Sequence, residues 1–508
     1  MMNRLPHPNR IDSSMWVDEA IWGHRLYDEQ TPWLCIMEFL NVLQSEYGGG
    51  RAFKEEKYNS LQYTAYPRMY LRNILFNNPR MGIIDKGFQN TQWDIWIEEM
   101  NKNPGGMKGA DFSYLKKRFA NFNDFVEIVN FLRSTTIEGE NNKRWSSQFI
   151  FPYGPDCLYE DLRVTGNNIS NDRRFFGRTG ELLYLMLSRS KNKEMILDYL
   201  SKKILNGRSP FNRLVAQLQP DGEELVGEKR QGGYLPYEKL KEYDLLSEDW
   251  LNLFKCNMPN YDVFPHLVNI TGLHMINYLL NRSKEILKDS NQTSFILEII
   301  APQKTIIRDL ASDSYSQNNN FSRQAVEEYV LGIKNTEKWN EVITSDAPYE
   351  SARDLIIKEF SWKDDDKANA TTAEGLLNEF SKKVTARHKQ HVQNFHRVWG
   401  KEIGLVSKRS SRRLRYAPTD SLLKALVLSN VESKMEFQEF LEILFNKYGF
   451  IIGDRQAGKL LEAGQADMES FSENAVRLEE RLSSMGLLKR LSDACAYVEN
   501  PFVKAGIR

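Results

Sequence analysis

The chain has 508 residues, 41% of them hydrophobic and 27% charged, with Lys+Arg and Asp+Glu balanced at 68 each. These are ordinary globular values, so wholesale disorder and a fibrous repeat are excluded, and roughly two to four domains are expected without a metal or disulfide staple. Cys35, Cys157, Cys256 and Cys495 stand far apart with no C-x-x-C pair, which excludes a zinc ribbon, argues against a disulfide framework and points to a reducing cytoplasm.

In chain order, residues 1–10 are polar and broken by prolines, without the apolar core of a secretory signal. Residues 1–150 read as an N-terminal helical, aromatic-rich domain. In it Trp33, Ile36, Met37, Leu40 and Leu43 recur at helical spacing over 31–46, and glycines 48–50 and 105–106 mark loops. That apolar stretch carries Glu38 and falls well short of the ~20 residues a membrane span needs, so a soluble cytoplasmic protein is expected. The polar run 138–143 marks a boundary.

Residues 151–345 read as a mainly helical middle domain, with helices over 180–187, 194–205 and 267–287, the last opened by Pro265. Residues 219–237 hold so many glycines and prolines that they are expected to form a loop with no regular element. One strand-like run, 295–301, carries Glu298 and is followed by Lys304. That pair is a distant likeness to a nuclease carboxylate and lysine, but it is six residues apart with a proline between, whereas convergence on one metal needs about two. Phe176-Gly-Arg-Thr-Gly180 has the glycines of an anion-binding turn without the lysine or the preceding strand, so a tight turn into a helix N-terminus is expected. Phosphate-loop, dinucleotide-fold, zinc-protease and nucleophile-elbow motifs are missing, and no cofactor is implied. His266 and His274 are eight apart and are expected to be core histidines, and Cys35 is expected to be buried and inert.

Residues 346–415 read as a long basic helix followed by a basic loop. Thr371-x-x-Glu374 has the spacing of a capping box, and with no strong breaker before Gly400 the helix is expected to run about 28–32 residues. Val384, Val392, Phe395 and Trp399 fall on one stripe of that helix, and Lys383, Arg387, Arg397 and Lys401 on another. Lys382 to Arg415 hold eleven Lys or Arg (Lys382, Lys383, Arg387, Lys389, Arg397, Lys401, Lys408, Arg409, Arg412, Arg413, Arg415) against Glu402, a net of +10. Residues 1–381 carry −7 and 416–508 carry −3. So concentrated a field fits the phosphates of DNA, which carries about one charge per 1.7 Å. Such contacts are sequence-independent, and Tyr416 is expected to offer a stacking ring. His388, His391 and His396 lack the i,i+4 spacing of a helical zinc pair, so no metal is expected.

Residues 416–508 read as a winged helix-turn-helix-like domain, with helices over 420–430, 435–448 and 471–485, then a hairpin of 487–492 and 495–499 turning at 493–494. The third helix carries Glu473, Glu479 and Glu480 against Arg477 and Arg481, leaving Lys489 and Arg490 on the wing as the cations placed for DNA.

The expected fold is mainly α, a multi-domain helical protein with that C-terminal domain. The expected function is a non-catalytic DNA-binding subunit of a bacterial DNA-processing or phage-defence machine, with a protein partner supplying ATPase or nuclease activity. The rivals are an enzyme with a diverged nuclease-like site in the middle domain and a protein–protein assembly adaptor.

Overall fold

The structure, a computed structural model, describes residues 16–23, 26–54, 61–78, 91–137, 144–171, 178–221, 228–259, 261–301, 305–363, 369–409, 412–492 and 495–502. The expectations placed on residues 1–10, 138–143, 176–177, Lys304 and the 493–494 turn lie outside the described residues. The protein is mainly helical with a few small sheets, and no described helix is long and apolar enough to cross a membrane. The chain divides into two compact units, one of Met1–Pro32, Arg189–Ile196 and Gly233–Arg508, the other of Trp33–Ser188 and Leu197–Gly232.

The smaller unit is built on an aromatic core. Trp93 and Trp96 of the Gln92–Lys102 helix meet Phe122 and Phe125 of Phe122–Ser134, with centroids 5.1 Å apart for Trp93–Phe122 and 4.9 Å for Trp96–Phe125. Edge-on rings at such distances add to simple area burial. Asn121 caps the second helix by accepting from Asp124 N at 2.8 Å. Residues 219–237 were expected to hold no regular element. They contribute a strand instead, Glu228–Gln231, antiparallel to Gln62–Ala65, because a partner distant in sequence satisfies the backbone that local propensity leaves open.

The larger unit is organised around the Phe264–Ile286 helix, which is buried on nearly every side and therefore lacks a single apolar stripe. Packed on it are Lys241–Lys255, Ile306–Leu331, Phe395–Glu402 and Asp420–Asn430. A short parallel pair, Phe295–Ile296 with Phe450–Ile451, crosses beside them. Gly449 enters that pair at φ 80, where a Cβ would run into the Thr293 carbonyl, so only glycine fits.

Two expectations about the basic segment need correction. The single long helix is two, Ala373–His391 and Phe395–Glu402, because Val392 and Phe395 are both fully buried and the chain turns to bury them. The cap is Thr372, whose hydroxyl accepts from Gly375 N at 3.1 Å, one residue later than the capping box implied. In the C-terminal region the expected helices lie at Asp420–Asn430, Phe437–Tyr448 and Met468–Ser484. A strand that the sequence reading missed, Lys434–Glu436, joins Leu488–Ser492 and Cys495–Glu499 in an antiparallel sheet with the last strand central.

Candidate nucleic-acid interface

The Ala373–His391 helix buries Leu376, Leu377, Phe380, Val384 and His388 against Ile306–Leu331 and Pro348–Phe360. This leaves Lys382, Lys383 and Lys389 exposed and Arg387 half-buried. The break after His391 resets the helical phase, so the Lys383/Arg387 edge does not continue into Arg397 and Lys401, which are exposed on the second helix. Gly404, at φ 74 where a Cβ would strike the Thr419 side chain, turns the chain into a hairpin of Val406–Ser407 and Arg415–Tyr416. Lys408, Arg409, Arg412 and Arg413 are exposed on its connecting loop.

Nine of the eleven cations are thus at the surface. Arg413 lies 3.9 Å from Asp313, an open pair of the kind worth ~0–1 kcal/mol. Among the described residues no ion pair holds Lys382, Lys389, Arg397, Lys401, Lys408, Arg409 or Arg412.

Arg415 is different. It is fully buried, its Nε donating to Glu298, whose other oxygen accepts from Arg308 Nε at 2.7 Å. Arg415 also donates to the Arg409 carbonyl at 2.6 Å, fastening the hairpin's base. Both residues of this two-residue strand are buried, so Arg415 does not belong to the exposed band. Glu298, with both oxygens engaged by arginines, is a structural anion.

Two of the segment's three histidines, His388 and His396, are internal as well, and His391 is half-buried. His388 bonds Asp18 Oδ1 through Nδ1 at 2.6 Å and Ser322 Oγ through Nε2 at 3.1 Å, and it stacks on Trp22 with centroids 5.5 Å apart. His396 bonds Tyr416 at 3.0 Å, and burial pushes its pKa down to about 3. Tyr416 is fully buried and accepts from Asn318 Nδ2 at 3.0 Å, so it is no stacking platform. No cluster of three metal-ligating side chains occurs among the described residues.

In the C-terminal module three arginines pair with the module's own acids. Arg477 pairs with Glu473, Arg481 with Asp420 and Arg490 with Glu479, each at 2.6 Å. Lys489 is exposed without an ion pair among the described residues.

Other sequence candidates fall away. Gly180 N donates to Glu38 Oε2 at 2.8 Å, so a carboxylate of the protein's own fills the N-terminus of the Thr179–Ser188 helix. Cys35 is fully buried, and burial pushes its thiol pKa well up, with Glu38 adding to the shift. His274 joins a cluster that no motif announced. Its Nε2 lies 2.6 Å from Asp249 Oδ2, which also accepts from the Tyr448 hydroxyl at 2.7 Å, while Lys447 holds the other oxygen. Asp249 and Tyr448 are sealed from solvent, so the cluster binds three helices together.

Residues 336–500 match the family model of the methylation-associated defense system protein MAD7. The matched third of the chain is therefore similar to a protein of a defence system, and it contains both the exposed cations and the C-terminal sheet. No curated protein and no solved structure matches the chain.

Proposed function

We propose that this chain is a non-catalytic, nucleic-acid-binding subunit of a bacterial multi-protein defence system. On this reading it holds DNA by its phosphates along the helix-and-hairpin band. One observation carries the reading: among the described residues, most of the surface cations from Lys382 to Arg413 stand without an acidic partner, while in the neighbouring C-terminal module Arg477, Arg481 and Arg490 each pair with an acid. Desolvating and pairing a cation inside the molecule removes it from the field an external polyanion feels, and these cations are left in that field. The family match over 336–500 supports the defence setting.

The module at 416–508 is read as winged-helix-like, supported by the three longer of its four described helices and by the order of the three strands in its antiparallel sheet. Its third helix is a poor reader of DNA, because Arg477 and Arg481 are committed to acids. It is read instead as the face for a protein partner that supplies ATPase or nuclease activity, with Lys489 and Arg490 touching DNA from the side. Met468, Val476 and Leu491 are 62%, 44% and 58% exposed and give that face apolar anchors.

The test is DNA binding across a salt series, wild type against Lys408→Ala/Arg409→Ala/Arg412→Ala/Arg413→Ala. Each lost phosphate contact lowers the log–log salt slope by ~0.9 on a duplex, so the quadruple variant should lose roughly three to four from it. An unchanged affinity and slope refutes the proposal. Retention of an acidic protein partner with no DNA shift at low salt identifies the adaptor instead.

A further inference from the structure

A cleft of ≈590 Å³ opens beside the hairpin, within the larger unit, a size in the ~300–1,000 Å³ range of small-ligand sites. Its floor is apolar, made by Ile296 and Ile451 of the parallel pair with Leu310 and Leu460. Its rim is polar, and much of that polarity is uncommitted. Gln317 on the Ile306–Leu331 helix and Gln465, which also lines the cleft, are exposed, and neither side chain has a hydrogen bond among the described residues. Ser314 Oγ accepts from Ile296 N at 3.3 Å and keeps its own proton to donate. Asn318 spends both amide hydrogens, on the Ser294 carbonyl and the Tyr416 hydroxyl, and keeps its oxygen.

An apolar floor under the Gln317 and Gln465 carboxamides, each with a donor beside an acceptor, and the Asn318 oxygen as a further acceptor suits a flat heterocycle with a hydrogen-bonding edge. Glutamine and asparagine read the edge of adenine in this way, and a carboxylate takes the amino group of cytosine. Asp313 supplies that carboxylate at the rim.

The cleft's place in the fold says where such a ring would come from. Asp313 is also the residue that Arg413 faces at 3.9 Å, and Ser312 Oγ donates to the Leu414 carbonyl at 3.0 Å. The basic loop therefore stands at the mouth of the cleft, and a phosphate held by Arg412 or Arg413 lies within a side chain's reach of it. The Arg413–Asp313 contact is open to water and weak, so a phosphate can take Arg413 and release Asp313 for the base.

We propose that this cleft receives an unpaired or extruded nucleobase from the strand whose phosphates lie on the hairpin. This rests on the nucleic-acid reading above and deepens it, since a base outside the stack is the form in which its edge and faces become accessible. Single-stranded or bulged DNA is then bound more tightly than a fully paired duplex, by about tenfold if the insertion contributes ~1.4 kcal/mol.

The experiment places 2-aminopurine at one position of a single-stranded oligonucleotide and follows its fluorescence and the oligonucleotide's affinity together. Gln317→Trp is the probe variant, because residue 317 is an exposed helical position where a large side chain fills the cleft mouth without entering the core. The expected result is a fluorescence change with wild type that Gln317→Trp abolishes. That variant should keep its duplex affinity and lose the roughly tenfold preference for the single strand. Binding without a fluorescence change, or a change that survives Gln317→Trp, overturns the base site and leaves the hairpin reading standing. If neither protein binds any oligonucleotide, the hairpin reading falls and takes the base site with it.

Discussion

At Glu298 one carboxylate holds two guanidiniums, those of Arg308 and Arg415, in the interior. Such a triad is a weak source of net stability when intact, yet it is costly to break, because removing the acid strands two cations away from water. Glu298→Ala should destabilise the protein by about 3–5 kcal/mol in denaturant unfolding, whereas Arg413→Ala, at an open pair, should change it by under ~1 kcal/mol. The buried imidazoles act in the opposite sense to a paired base. Burial pushes His396 down to about 3 and His266 to about 4, where Lys424 adds to the shift. Below about pH 6.5 the unfolded chain therefore binds protons that the folded chain refuses. Stability is full above that pH and is lost as pH falls toward those values, by up to ~1.4 kcal/mol per pH unit for each histidine. Melting between pH 7.5 and 5 should show the decline, and His396→Gln, neutral throughout, should make it shallower by the share of one histidine. The sequence announced the cations but not their fates. Arg415 and Arg413 are two residues apart in one basic run, and only the pairing with a glutamate 117 positions away distinguishes them.

Among the elements, those defined by local chemistry were legible. Asp420–Asn430 begins at Thr419, which accepts from Leu422 N, and Phe437–Tyr448 ends at Gly449 in the left-handed region. These are signals carried by one or two side chains. Gly449→Ala should cost at least ~1–3 kcal/mol by thermal unfolding, since both the backbone angle and the Thr293 carbonyl oppose a Cβ. What local chemistry does not encode was misread. The break at 392–394 contains neither glycine nor proline, and it arises from burying Val392 and Phe395 on a core assembled from remote segments. The strand at Glu228–Gln231 likewise exists only because Gln62–Ala65 pairs with it.

At the scale of the whole molecule, a net charge of zero conceals a separation that the sequence displays plainly, with +10 confined to 34 consecutive residues. That separation made the candidate surface legible. The cleft beside it was not, since Gln317 and Gln465 are ordinary polar residues until the fold sets them across a gap. The surface cations of this segment have one more consequence. Gathered within 34 consecutive residues, they repel, and dissolved ions soften that repulsion just as they weaken a grip on phosphate. Ionic strength therefore works on this protein in two opposed directions, firming the empty fold under the conditions that empty it.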